Sequence, residues 1–390
     1  PSPSHIIYET EHDEVNRTLV AVLSLRWICN NQYEAFTRTQ PDQVTLTRSS
    51  FDWIRDIFTK GVQTQMDLYT LLTYIVINDL GKDPQLASDF RDKTREDISA
   101  LNHDMILLKA VEAGLVPCID HLPPTHKLEV MRGIWLGAEF NVGQLAQAEN
   151  APASLSILQD MRGHEHAWEV HFMQQILDIS GAAGHEDWTS AKKFIQPIFE
   201  AYYNVYDVAT RIIRGQEGLR QGYDLILTRR SEMLSDKGFR VLDIQSLGDR
   251  VLMRLLCMGG VTDVETAELY HAVWMALDDT TKHSLVYSMN VDGSTAEPAV
   301  QPTYMPAMLA QGLAEVSPLS WTDKSRRLQS MLKYLARVMT LTDEPNGRVI
   351  VVERSVLWVV KDVIQSHAFQ ENPAILEQTD VPKSAVAKSA

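Results

Sequence analysis

The chain is poor in the features that usually assign a function. Only three cysteines occur in 390 residues, Cys29, Cys118 and Cys257. They are odd in number, far apart and in no metal-binding spacing, which excludes a disulfide-stapled scaffold or a zinc finger and reads as reduced thiols. No apolar run approaches the roughly 18 residues of a membrane span, and no secretory leader opens the chain, so a cytoplasmic protein with no membrane contact is expected. A Walker loop, a dinucleotide fingerprint and the motif of a Ser or Cys nucleophile are all missing. Positive charge is short as well: 36 Lys and Arg stand against 51 Asp and Glu, a net charge of −15. That balance disfavours generic binding to a nucleic-acid backbone or an anionic membrane.

What is present is an ordinary globular composition, 45% hydrophobic and 22% charged, with apolar residues recurring near every 3.6 positions. The spacing predicts an all-α fold with helices that include 14–30, 51–59, 64–80, 99–115, 125–148, 164–180, 189–214, 245–258, 305–315 and 323–340. Two strand-like pieces, "QVTLT" at 43–47 and "GRVIVVE" at 347–353, allow a small hairpin at most. Polar chemistry concentrates between 78 and 207. The expected division is a helical site-bearing domain over 1–215, a helical supporting region over 216–372 and a mobile tail over 373–390.

Several polar residues fall on faces that should be buried. "LYTLLTYIVINDLGKDPQ" (68–85) puts Asp79 on the stripe of Leu68, Leu72 and Ile75, at a helix end where the dipole is negative. A carboxylate there needs a cationic partner or takes up a proton. "LNHDMILLKAVEAGL" (101–115) places His103 and Asp104 on either side of an apolar face, although Asn102 or Ser99 capping the helix, with Asp104 complementing the dipole, explains the same residues. "GHEHAWEVHFMQQILDISG" (163–181) carries Glu165, His166 and Glu169 inside an apolar arc and His164 and His171 at its rim. Two acids one turn apart on such a face repel unless a cation lies between them. His185 stands free to line a site, and Gln144, Gln147 and Glu149 follow a stripe of Gly133, Gly137 and Asn141 as polar contacts for a ligand.

"INDLGK" (77–82) resembles the HD-[LI]-G-K signature of HD-domain metalloproteins, helical phosphohydrolases with a smaller branch of di-iron oxygenases. The resemblance implies that Asp79 is a metal ligand and Lys82 a cation on the substrate side, with a small anionic metabolite as substrate. Asn78 stands where that family has His, and the ligand set it implies is Asp79, His103, Asp104, His166, His185 and Asp207, a donor set suited to iron, manganese or zinc. A degenerate member would keep the helical pocket without an ion. A second similarity, carried by "NDLGKDPQ", "NHDMILLKA" and "AAGHEDWTSAKKFIQPIFEAYYNVYD", is to fungal proteins associated with arginine-containing cyclodipeptide synthases, which join aminoacyl groups taken from tRNA. A DDxxE motif associated with those enzymes is absent, the nearest match being "DDTTK" at 278–282. Buried acids such as Asp79, Glu165 and Glu169 would suit a guanidinium group.

Three readings therefore stand open. The first is an HD-like metal-dependent hydrolase or oxygenase, with Asp79, His103 and His166 catalytic and Lys82, Glu165, Glu169, Gln144 and Glu149 holding substrate. The second is a tRNA-dependent aminoacyl transferase, whose basic surface would come from Arg326, Lys333 and Arg337 on one side of the helix 324–338. The third is a helical ligand-binding protein without catalysis. The expectation that goes with them is a single site, with Asp79, His103 and His166 in one pocket and Asp104 and Glu165 or Glu169 nearby.

Overall fold

A computed structural model describes residues 2–314, 319–341 and 348–389 of the chain. The fold is mostly helical, as the apolar periodicity dictates, with one three-stranded sheet among the described residues. Contacts divide the chain into two compact units. The first comprises residues 1–141 and 161–206, the second 142–160 and 207–390. The chain passes from the first unit to the second within the helix Gln196–Ile213, and residues 142–160 belong to the second unit.

The first unit is organised by the helix Glu165–Gly181, which packs on Asp13–Cys29, Arg48–Gly61, Gln65–Ile77 and Pro124–Glu139. Such burial needs an apolar surface nearly all round, and Trp168, Val170, Phe172, Met173, Ile176 and Leu177 supply it. Close approach is made possible by Gly181: a Cβ there would lie 2.3 Å from the Arg17 carbonyl oxygen. Aromatic rings reinforce the contact, Tyr206 stacking on Trp168 with centroids 6.2 Å apart and meeting Trp53 edge-on.

In the second unit the helix Leu247–Met258 is buried along its length from Arg250 to Met258. Its two arginines have acceptors of different kinds: Arg250 pairs with the Asp224 carboxylate at 2.7 Å, and Arg254 donates to the carbonyls of Ala148, Met289 and Asn150 at 3.2, 3.0 and 2.9 Å. A buried guanidinium persists only with such a set of acceptors. The helix Trp321–Met339 packs on Val264–Ala276, Asp279–Met289 and the 3-10 turn Pro373–Gln378.

Three differences from the sequence expectations have local causes. "QVTLT" forms a 3-10 turn, Asp42–Val44, and no strand. "GRVIVVE" does form a strand, β2 (Val349–Glu353), its expected first residue lying outside the described residues. It pairs in parallel with β1 (Ala299–Gln301) and antiparallel with β3 (Ala385–Ser389). The segment expected to be a mobile tail thus supplies an edge strand, and Tyr334, donating to the Asp380 carbonyl at 2.7 Å, ties down the chain before it. The helix expected over 305–315 is Met305–Gly312, and residue 315 lies outside the described residues. Among the described residues no helix is long and apolar enough to cross a membrane.

Candidate functional site

The helix Gln65–Ile77 opens with a reciprocal cap in which Thr64 and Asp67 satisfy each other's backbone N–H groups. It ends at Ile77, two residues before Asp79, and the chain turns into a single 3-10 turn, Leu80–Lys82. Asp79 therefore belongs to a turn, and the helical wheel that places it with Leu68 does not apply: Leu68 is itself exposed, and the buried face carries Thr70, Leu71, Tyr74 and Ile75. The turn is pressed against the start of the helix His103–Glu112, where a Cβ on Gly81 would lie 1.8 Å from the His103 carbonyl oxygen. Only glycine permits that approach, and through it the turn bearing Asp79 meets the helix end bearing His103 and Asp104.

The cationic partner of Asp79 is Lys82, its ammonium 2.8 Å from Oδ1 and 3.4 Å from Oε2 of Glu14. Burial pulls the Lys82 pKa down, but the hydrogen bond and charge of Asp79, then the charges of Glu14 and Asp178, outweigh it and the pKa is raised. Asp104 lies 3.6 Å from Nε2 of His103. Burial raises the Asp104 pKa; His103 and Lys82 act against that and Asp79 with it. A third carboxylate arrives from the central helix: Asp178 is pushed up to about 6, first by burial and then by the negative charge of Asp79. Asp178 is nevertheless solvent-accessible.

Beneath the carboxylates lies a buried pair. The Tyr74 hydroxyl and Nδ1 of His171 are 2.8 Å apart, and both rings are nearly inaccessible. Burial drives the His171 pKa down to about 3, so the imidazole is neutral, and it raises that of Tyr74 together with the charges of Asp104 and Asp178. The imidazole edge and the Asp104 carboxylate both lie against Gly137, 3.2 and 3.5 Å from where its Cβ would stand. Nε2 of His171 has no hydrogen-bond partner. A buried ring nitrogen left unpaired beside an acid cluster is costly unless a ligand or water meets it.

The remaining expected residues are placed elsewhere or differently. His166 is exposed and pairs with Glu129, Nδ1 to Oε1 at 3.0 Å; the arc that should have turned it inward is filled by Trp168, Phe172 and Met173, while His171, expected at the rim, takes the buried position. His185 accepts from Arg17 at 3.2 Å. Glu165 accepts the N–H of Gly163 at 3.3 Å, and Glu169 is half-buried. Asp207, in the second unit, forms ion pairs with Arg211 at 3.0 Å and with Arg229. Gln144 and Glu149 also belong to the second unit, with Gln301 and Tyr304 as partners. Asn102 caps its helix through the N–H of Met105 at 2.9 Å. The basic face of 324–338 is largely consumed within the chain: Lys333 pairs with Glu377, and Arg337 donates to the carbonyls of Leu376, Glu377 and Thr379.

The implied set for iron, manganese or zinc does not fit this arrangement. Among the described residues no three His, Cys, Asp or Glu side chains are grouped as ion ligands, and Lys82 already supplies the positive charge that Asp79 meets. Lys82 is shared between Asp79 and Glu14, while the charges of Asp79 and Asp104 both raise the Asp178 pKa, so the carboxylates here repel one another. Neither the curated proteins nor the solved structures provide a significant match to this sequence. One family model does match, over residues 1–376, and the chain belongs to that family, DUF6829, a family of unknown function.

Proposed function

We propose that the protein is a tRNA-dependent aminoacyl transferase similar to the arginine-containing cyclodipeptide synthases, and that Asp79, Asp104 and Asp178 receive the guanidinium of an arginyl group. The observation carrying this reading is that Gly81 brings the turn bearing Asp79 against the helix end bearing Asp104, and that Asp79, Asp104 and Asp178 act on one another electrostatically beside a Lys82 ammonium already shared between Asp79 and Glu14. A planar guanidinium with five N–H donors matches several carboxylate oxygens at once, and its charge would offset the burial and the neighbouring negative charges that raise Asp178 to about 6. Joining two aminoacyl groups forms a C–N bond as the amine of one attacks the ester carbonyl of the other and breaks the C–O bond to the tRNA ribose; His103, beside Asp104, would take the proton from the amine and return it to the departing ribose hydroxyl.

An HD-like hydrolase or oxygenase is the second reading, favoured by one observation. The charge at the signature position Asp79 acts on an acid from a distant helix, Asp178, and the resemblance likewise draws its ligands from separate helices. No step is assigned to an ion, because the donors are not grouped to hold one.

The test combines the purified protein with arginine, tRNA, ATP and arginyl-tRNA synthetase, together with a second aminoacyl-tRNA, and follows arginine-containing diketopiperazines by mass spectrometry. Product from the wild type and its loss in Asp79→Asn and Asp178→Asn is expected. Absence of product together with near-stoichiometric iron, manganese or zinc in the purified protein would replace this reading with the second. Binding of agmatine without product would reduce it to a ligand-binding protein.

A further inference from the structure

The second unit contains a separate constellation in which a buried acid underlies exposed aromatic rings. Glu149 is 4% exposed, and its Oε2 accepts the backbone N–H of Tyr304 at 2.8 Å. Burial, with the Glu353 charge adding to it, lifts the Glu149 carboxyl to about 7. The neighbouring Asn150, equally buried, has no partner for its Oδ1. Around them lies a polar layer in which Nε2 of Gln301 is shared between Gln144 at 3.4 Å and Thr303 at 3.3 Å. Parallel pairing of β1 with β2 sets Gln301 opposite Glu353.

Above this floor the rings are open. Tyr304 is 44% and Trp358 72% exposed, their centroids 6.2 Å apart and their planes at 82°. Burial, then the charges of Glu353 and Glu149, raise the Tyr304 pKa, so both acids bear on this ring. The backbone holding it is strained on both sides: Tyr304 has φ 64° and Ala148, one residue before Glu149, has φ 53°. Each left-handed non-glycine residue costs about 1–2 kcal/mol. The structure over-determines them, Arg254 and Tyr223 both donating to the Ala148 carbonyl, at 3.2 and 2.8 Å. Strain fixed in this way around a buried acid is a property of built sites.

We infer that Glu149, Glu353, Tyr304 and Trp358 form a binding site for a small organic ammonium group, the two carboxylates compensating its charge and the two rings flanking it. The rings pack edge to face and remain exposed, so a cation meets the faces left open, and such contacts contribute about 0.5–2 kcal/mol each according to desolvation. The acids supply what an apolar patch lacks: a reason for the occupant to be charged. The two rings supply what an acid pair lacks, a preference for an organic cation over a hydrated metal ion. The site lies wholly within the second unit and does not rest on the proposed transferase activity.

The chain has eight tryptophans, so 5-fluorotryptophan labelling and fluorine NMR, with the Trp358 resonance assigned by Trp358→Phe, isolate the rim of this site. Titration of the full-length protein with n-butylammonium is expected to move that resonance saturably in the millimolar range, whereas n-butanol of the same shape leaves it in place. Glu149→Gln should weaken the response at least several-fold, and Tyr304→Asn, which keeps a residue tolerant of positive φ, should do the same if Glu149→Gln does not fold. Asp178→Asn, in the other unit, should retain it. An unmoved Trp358 resonance in the wild type, an equal response to butanol, or an unchanged response in a folded Glu149→Gln or Tyr304→Asn protein would each overturn the inference.

Discussion

Replacing Asp178 by asparagine separates a charge tuned for a ligand from one that merely holds the fold together. In the folded protein the Asp178 carboxyl titrates near 6 against an ordinary 3.8. A group with a raised acidic pKa binds its proton more tightly folded than unfolded, so folding carries no penalty from it below about pH 4. The penalty grows through the window from about 4 to 6 and is complete above it. Two units at about 1.4 kcal/mol each set a ceiling of about 3 kcal/mol. Asp178 is accessible to solvent, so screening reduces this to about 1–2 kcal/mol. Asp178→Asn keeps the shape and can still meet Asn78, whose amide approaches Oδ1 at 3.5 Å. Urea unfolding followed by tryptophan fluorescence should therefore show the variant more stable than the wild type by about 1–2 kcal/mol at pH 7.5 and equal to it at pH 4, while transferase product disappears. Equal stabilities at both pH values, or a variant less stable at pH 7.5, would refute the electrostatic account of the site.

The other consequences can be checked with the same preparations. Lys82→Met removes the ammonium 2.8 Å from Asp79; because that pair is partly exposed the loss should be about 1 kcal/mol at pH 7.5, with the carboxyl titrations of Asp104 and Asp178 moving further upward in NMR. Gly81→Ala sets a methyl against the His103 carbonyl at 1.8 Å and must displace the turn, lowering stability by about 2–4 kcal/mol in thermal or urea unfolding and abolishing activity. In the second unit Glu149→Gln should be more stable than the wild type by about 2–3 kcal/mol at pH 8 and no different at pH 4.5, since the carboxyl titrates near 7 against 4.5. Arg254→Met removes the donor to the Asn150 carbonyl and one of two donors to the carbonyls of Ala148 and Met289, which keep Tyr223 and Arg250, and should cost about 1–3 kcal/mol by the same measurement.

Periodicity made the helices legible because burial of an apolar stripe is a one-dimensional signal. A helix beginning near His103, with Asn102 or Ser99 as its cap, and the need of Asp79 for a cation could be anticipated from residue types alone, but that the cation is Lys82, expected on the substrate side, could not. What could not be read was which way a polar residue turns when apolar neighbours surround it on every side. His166 and His171 stand five residues apart on one helix. The helix Glu165–Gly181 is packed on several faces, so a wheel that assumes one buried face assigns the two histidines to the opposite environments. Asp178 carried a weak signal, a lone acid near the end of "FMQQILDISG", and Tyr74 carried none, since its hydroxyl matters only through His171 on another helix. Gln144 and Glu149 were recognised as polar contacts, but their partners lie about 155 residues onward in the chain, a pairing that local pattern does not encode.

The position of Lys82 constrains how the acid site can work. A ligand cation entering the cluster competes with an ammonium already bound to Asp79 and Glu14, and affinity depends on the difference between the two partners. A hydrated metal ion would have to give up water and displace the lysine for ligands that are not grouped to receive it. A guanidinium can leave Lys82 in place and use the oxygens of Asp104 and Asp178, whose raised pKa values show that they lack a sufficient countercharge of their own. Binding would then lower those pKa values toward the ordinary carboxylate range and take up no metal, so a guanidinium ligand should release protons from the protein near pH 6. Calorimetric titration of agmatine in two buffers of different ionisation enthalpy measures that release directly. A net release that vanishes in Asp178→Asn is the expected result, and binding with no proton exchange near pH 6 would place the ligand away from these acids.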